Sequence, residues 1–459
     1  MVVARIVDHC ATVDGDRPTL SAHLSDWFAV AIGGAVHADS SPAIRDGIAR
    51  IAGPAPDPAA DETATVFPTG EQMTPADAAF ANGAFAHSLD FDDTHLPASL
   101  HPGAPTIAAA LAAAEAADAS TDRFRAAVAA GYDVACTVGE AVGPDSHYDR
   151  GFHVTATCGT FGAVAAAGVA RGLDADALRN PLGIAGSQAA GSLQFLANGA
   201  WNKRLHPGLA ARRAIEATDL ATAGVVGAAD PIDGAHGFLT GYSDDPNPAA
   251  FDRLGERDAV GETGRKPYPC CRYLHAAIDG LQAITPAVDA ADVESVRIAI
   301  PSAGVRLTGD PIEAKRRPES VVDCQFSAPF VAALVLVDGA ADAESFLRAV
   351  GRLDDSPRWD DPALRRVMDV TTVTTDEAIE RRFPDAWGAA VVVTAGGERH
   401  ERSVTVPLGE PEKPMSEADT RSKAEGLLSG TGVDADRLTT VVGALEDRSL
   451  AELIDAATA

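Results

Sequence analysis

Residues 74–117 read TPADAAFANGAFAHSLDFDDTHLPASLHPGAPTIAAALAAAEAA. Two alanine-rich segments flank a middle, His87 to Gly103, that holds three aspartates, three histidines and a threonine without a lysine or arginine. Thr74 can cap a helix, Pro75 suits the first helical position, and Asp77 favours the positive helix end. Phe80, Ala84 and His87 recur at four- and three-residue spacing, one face of a helix that delivers Asp90 to its C-terminal end. A second helix starts after His101-Pro102-Gly103. The stretch is a helix–loop–helix connection, and such connections carry functional groups on rigid supports. The acidic middle admits three readings: a solvated loop, a metal site or an acid–base site.

Working outward, the chain stays helical and alanine-rich from about Asp16 to Tyr242. Helices are expected over 121–142, 157–171, 181–197 and 207–223. Small residues among them (Gly159, Gly162, Gly186, Gly191) would let helix axes approach closely. The texture changes after Gly264. ESVRIAIP, VMDVTTVTT and AAVVVTAGGERHERSVTVP cluster or alternate β-branched residues, the last turning at Gly396-Gly397 as a hairpin. SAPFVAALVLVDG and AESFLRAVGRL are helical between them. After Pro407 the helical pattern returns, with Ser416 as N-cap and Asp419 three residues on. The expected fold is mainly α: a large all-helical domain from both chain ends (1–264 and 409–459) and a smaller α+β lid domain (265–408).

Composition narrows the function. Of 459 residues, 66 are acidic and 37 basic, a formal net charge of -29. Such a mean field repels nucleic acid and anionic membrane. Lysine occurs only at Lys203, Lys266, Lys315, Lys413 and Lys423. An acidic, lysine-poor chain reads as a halophile's protein, in which concentrated salt screens carboxylate repulsion. Six scattered cysteines lack CxxC spacing, the start has no signal-peptide core, and no apolar run of membrane length occurs. The expectation is a reduced, cytoplasmic protein.

GxGxxG, P-loop, HExxH, GxSxG and EF-hand patterns are absent, so nucleotide, zinc-protease and serine-hydrolase readings lose their main support. Three other segments stand out. WNKRLHPG (201–208) sets one of the rare lysines beside an arginine and a histidine. RKPYPCCRYLH (265–275) carries Lys266, Tyr268, Arg272 and His275 on a proline-stiffened segment at the proposed domain junction, where ligand sites are favoured. GFH (151–153) puts His153 before a glycine-rich helix. In so acidic a chain, a small polyanionic substrate needs a local cationic pocket. Carboxylates beside it, such as Asp90, could move protons.

The segments NGAFAHSLDFDDTHLPASLHPGAPTIAAALAAAE, GFHVTATCGTFGAVAAAGVARGL, NKRLHPGLAARRAI, RKPYPCCRYLHAAIDG and PEKPMSEAD resemble, in the same order, landmarks of the MmgE/PrpD family. That family includes 2-methylcitrate dehydratase and cis-aconitate decarboxylase. The resemblance implies a lyase that acts on a small tri- or dicarboxylate by proton abstraction with loss of water or CO2, without a required organic cofactor or metal, as a homodimer. By matching motif it implies Asp90, Thr94, His101, His153, Lys203, Lys266 and His275 as catalytic residues. Lys203, Lys266, Arg272 and Tyr268 are the expected substrate-binding groups. The dehydratase branch usually has Asn where Asp92 or Asp93 stands and an Asp soon after the His-Pro, where this chain has Gly103-Ala104. The decarboxylase branch tends to carry a histidine near Cys271. The alternatives are an epimerase or isomerase of a dicarboxylate in the same family, or a metal-dependent hydrolase using Asp92, Asp93, His95 and His101.

Overall fold

Alanine and glycine set the helix spacing of the first unit. The computed structural model describes residues 2–52, 56, 62–353, 356–384 and 386–459. The chain divides into two compact units, Met1–Gly264 with Leu428–Ala459, and Arg265–Leu427. The fold is mainly α with a small α+β part. The first unit is built on α1 (Leu20–His37), α2 (Pro75–His87), α3 (Gly103–Ala116), α4 (Thr121–Val142), α5 (Val154–Ala170), α6 (Ala175–Ala185) and α7 (Asn202–Thr222). A short antiparallel pair, β1 (Ala64–Val66) and β2 (Glu71–Met73), precedes α2.

α5 packs on α3, α4 and α7, while α2 packs on α1, α3 and α7. α3 is buried without a break from Gly103 to Ala114, and α5 from Val154 to Gly168. Helices enclosed on all sides need no polar face, hence their near-uniform Ala/Gly/Val composition. The closest approach is between α2 and α7. A Cβ on Gly208 would lie 2.3 Å from the Phe80 carbonyl oxygen, and one on Gly83 would lie 2.9 Å from the Gly208 Cα. These two helices cross backbone to backbone, which sets α7 against the end of α2 where the acidic loop begins.

The Thr74 hydroxyl accepts the Asp77 N–H at 3.3 Å and caps α2 as the sequence predicts. Two other helix starts differ from expectation. Pro181 and Pro207 lie inside α6 and α7 instead of opening helices. Packing of α7 against α2 and α5 extends it back to Asn202 despite the proline, and this brings Lys203 into its first turn.

In the second unit, β3 (Val293–Ala299), β4 (Thr371–Thr374), β5 (Ala389–Ala395) and β6 (Glu398–Val404) form a sheet of order β4-β3-β5-β6. β3 and β4 are parallel, and the other pairs are antiparallel. The β5–β6 hairpin turns at Gly396 (φ 56°) and Gly397 (φ 78°), where two consecutive positive φ angles favour glycine. β6 is the charged edge strand (ERHERSV), a composition that discourages further strand pairing. α8 (His275–Ile284) covers β5 and β6, and α9 (Ala328–Asp338) packs on α8. Ile278, Leu281, Val296, Ile298, Phe330, Val391 and Val393 are among the core residues between these layers.

The chain leaves the second unit later than residue 408. Helix α10 (Glu417–Leu428) is tied to the segment that opens this unit. Arg265 Nη1 donates to Thr420 Oγ1 at 2.7 Å, and Lys423 Nζ donates to the Lys266 carbonyl at 2.8 Å. The backbone joins in as the Arg265 N–H donates to the Gly409 carbonyl at 2.8 Å. α11 (Ala435–Gly443) then packs on α1, so both chain ends build the first unit. The six cysteines are buried free thiols. Among the described residues, no helix is long and apolar enough to cross a membrane.

Candidate active site

The acidic loop is interior, which removes the solvated-loop reading. Asp90, Asp92, Asp93, Thr94 and His95 are all at most 7% exposed. Short bridges hold the loop in place. Thr94 and Gly264 exchange backbone hydrogen bonds at 2.8 and 2.9 Å, and His95 and Leu100 exchange another pair. Asp90 adopts φ 52°, a left-handed conformation that costs a non-glycine residue roughly 1 kcal/mol. Here the turn that reverses the chain after α2 requires it, and it aims the carboxylate at α7. Lys203 Nζ lies 2.5 Å from Asp90 Oδ1, with the lysine side chain 22% exposed.

Four histidines adjoin this pair. His87 Nδ1 lies 2.7 Å from Asp92 Oδ2. His101 Nδ1 lies 2.7 Å from the Asp93 carbonyl oxygen and 3.3 Å from Thr94 Oγ1. A carbonyl only accepts, so His101 carries hydrogen on Nδ1, and in its uncharged form the ring would have its lone pair on Nε2. The His87 ring centroid is 4.9 Å from that of His101 and 6.0 Å from that of His153. His153 Nδ1 in turn meets His206 Nδ1 at 2.9 Å. The His101 N–H donates to Thr155 Oγ1 at 3.1 Å, which fixes the loop to the start of α5.

Burial holds His153 well below its ordinary value, reinforced by His206, His87, Lys203 and His101. Burial likewise lowers His206 to about 4, with His87, Arg213 and Lys203 adding to the effect. Both rings are therefore neutral near pH 7. The region combines one ammonium, neutral imidazoles and buried carboxylates, a set that can bind an anion and move a proton beside it.

The first unit thus gathers Asp90, Thr94, His101, His153 and Lys203 from the loop, the start of α5 and the start of α7. The sequence reading did not single out His87 or His206 as site residues. The signal for His206 was present, because it follows Lys203 by three residues and shares its helix face.

In the second unit, Lys266 and Tyr268 are buried, at 2% and 4% exposure. Tyr268 Oη lies 2.8 Å from Asp279 Oδ1 and 2.9 Å from Gln282 Oε1. Burial, with Asp279 beside it, raises its pKa. Arg272 Nε donates to Glu410 Oε1 at 2.8 Å, and its Nη1 donates to His275 Nδ1 at 2.7 Å. His275 Nδ1 is then the acceptor, and the Nε2–H faces the Cys270 carbonyl at 3.3 Å. Arg272 orients His275 as well as carrying charge.

The four ligands expected for a metal-dependent hydrolase do not converge. Asp93 turns to Tyr132 Oη at 2.6 Å and to the Gly103 N–H at 3.1 Å. Burial alone would raise Asp93, but His23, Tyr132 and the Gly103 N–H hold it below the usual carboxylate value. His95 belongs to a separate group with Glu140 and Glu262. Arg257 Nη2 sits there, 2.9 Å from Glu140 and 2.5 Å from Glu262, filling with its own charge the position a cation would take. Asp92 and His101 instead share a group with His87. The loop divides the quartet: Asp92 faces His87, Asp93 faces Tyr132, and His95 faces Glu140 and Glu262.

Similarity to known proteins covers both units. A model of the MmgE/PrpD N-terminal domain matches residues 14–250, and one of the MmgE/PrpD C-terminal domain matches residues 268–447. The chain is 30% identical over 402 residues to "Cis-aconitate decarboxylase" of Mus musculus, covering 82% of this chain and 77% of that protein. It is 27% identical over 396 residues to "Cis-aconitate decarboxylase" of Aspergillus terreus, covering 80% and 77%. To the human protein of the same name it is 30% identical over 290 residues, covering 60% and 58%. With both domain models matched in order along nearly the whole length, the chain belongs to the MmgE/PrpD family.

Proposed function

We propose that this protein is a lyase acting on a small tri- or dicarboxylate, and that its reaction is loss of CO2 from cis-aconitate or a close analogue. The observation that carries the reading is the Lys203–Asp90 pair, set in a left-handed turn beside His87, His101, His153 and His206. The names of the relatives favour decarboxylation over dehydration.

Lys203 would hold a substrate carboxylate and stabilise charge that develops at the reacting carbon. Loss of CO2 breaks a C–C bond and leaves its electron pair on carbon, which must take up one proton. His153, one of the two rings that burial keeps neutral, can deliver it provided its other ring nitrogen gains a hydrogen in the same step. His101, whose uncharged ring has its lone pair on Nε2, is the group suited to take a proton if the reaction is instead a dehydration. Thr94, 3.3 Å from His101 Nδ1, orients that ring. We further propose Lys266 and His275 as catalytic groups and Lys266, Tyr268 and Arg272 as substrate-binding groups, roles that kcat and KM of single variants would separate.

The test is direct. Purified protein in concentrated salt is incubated separately with cis-aconitate, 2-methylcitrate and citrate, and products are followed by proton NMR. Appearance of a decarboxylated diacid from cis-aconitate supports the reading. Dehydration of 2-methylcitrate alone would move the protein to hydro-lyase chemistry. No turnover of any of the three would end the proposal.

A further inference from the structure

We infer that His206 is a positioning residue that lets His153 donate a proton while remaining neutral, the two rings sharing one hydrogen between their Nδ1 atoms. This rests on the lyase reading for its chemistry, but the pair itself stands on geometry. Two ring nitrogens 2.9 Å apart can coexist only if one carries hydrogen and the other accepts it. Phe195 flanks both rings, 6.1 Å from His153 and 5.8 Å from His206 between centroids. The backbone of His153 is fixed by its N–H to the Gly191 carbonyl at 2.9 Å. Among the described residues neither Nε2 makes a hydrogen bond, and the residues keep only 3% and 7% of their surface accessible.

The physical need for the pair comes from burial and from the basic groups around it. Facing the rings are His87 at the end of α2, His101 in the loop, and Lys203 and Arg213 on α7. These groups and burial oppose an imidazolium at His153, so the donor must be the neutral ring. A neutral imidazole that simply gave up Nε2–H would become an imidazolate, far too unstable at neutral pH. With His206 behind it, the step balances. The C–CO2 bond breaks, its electron pair forms a C–H bond with the proton from His153 Nε2, and His153 Nδ1 takes the hydrogen from His206 Nδ1. In the same movement His206 Nε2 takes a proton from water, so neither ring passes through an imidazolate. After product release the reverse shift between the rings, with water protonating His153 Nε2 and His206 Nε2 losing its proton, restores the starting tautomers. One proton is taken from solvent per CO2 released.

Two measurements test this. In selectively 15N-histidine-labelled protein, the substrate-free pair should show a protonated His206 Nδ1 and a bare His153 Nδ1, with scalar coupling across the N–H···N contact, and the reverse assignment would overturn the inference. Two protonated or two bare Nδ1 atoms would overturn the inference, whatever the substrate proves to be. The second measurement uses His206→Asn, whose amide can hold His153 Nδ1 but cannot pass a proton through. We expect kcat to fall about 100-fold, the usual scale of proton-transfer catalysis, with KM within about threefold. A kcat for His206→Asn close to that of the unsubstituted protein would also overturn it. Should that variant fail to fold, the spectrum of the unsubstituted protein decides alone. If the unsubstituted protein turns over no carboxylate, the lyase reading falls, while the spectrum still reports on the pair.

Discussion

Replacing Lys203 by methionine removes one ammonium while keeping most of the aliphatic stem. At about 4 Å from a developing negative charge, and with an effective dielectric constant near 20, an ammonium contributes about 4 kcal/mol. Loss of a comparable donor in other enzymes costs roughly 3–4 kcal/mol of transition-state stabilisation. Turnover of cis-aconitate should therefore fall between about a hundredfold and a thousandfold. The same change removes the ammonium that lies 2.5 Å from Asp90 Oδ1. Breaking a fully buried pair costs about 3–5 kcal/mol. With the Lys203 side chain 22% exposed, water can reach the pair, and a loss of roughly 1–3 kcal/mol is expected. The two effects separate in the double variant Lys203→Met/Asp90→Asn. It should regain most of the stability, read by denaturant unfolding, but none of the activity, read by NMR product formation. Activity of Lys203→Met within threefold of the unsubstituted protein would refute the role given to this lysine.

Three other outcomes are expected. Because His206 has a folded pKa of about 4 against an ordinary 6.5, the unfolded chain binds more protons between those values. Stability should be full above pH 6.5 and fall by up to about 3 kcal/mol as pH drops towards 4, and thermal melts of His206→Gln should flatten that slope. Glu262, held at about 2 by His95 and Arg257, contributes only in the more acidic window below 4.5. Gly208→Ala drives a methyl group into the Phe80 carbonyl, and should cost about 1–3 kcal/mol in denaturant unfolding while reducing turnover through displacement of Lys203. With a net charge of -29, the protein should melt at a higher temperature in about 2 M KCl than in dilute buffer, and equal melting temperatures would contradict the halophilic reading.

The stretch from Thr74 to Ala117 was legible because its signals are local. A capping threonine, a proline after it and alanine-rich segments favour helices through local preference. The Gly396-Gly397 turn and the Ser416–Asp419 cap were legible for the same reason. The helix start at Asn202 was not, since packing across Gly83 and Gly208 outweighs the local preference of Pro207 to open a helix. The rarity of lysine marked Lys203, and the family landmarks marked Asp90, Thr94, His101 and His153. Sequence could not distinguish Asp92, which faces His87, from Asp93, which faces Tyr132. It also gave no reason to pair His153 with a residue 53 positions away.

The chain alone determined its helices, its acidic surface and the residue types of the site. Tertiary structure decided which carboxylate meets the lysine, which histidines touch and which remain neutral. Those outcomes depend on distance and on exclusion of water, and both arise only when segments far apart in sequence pack together.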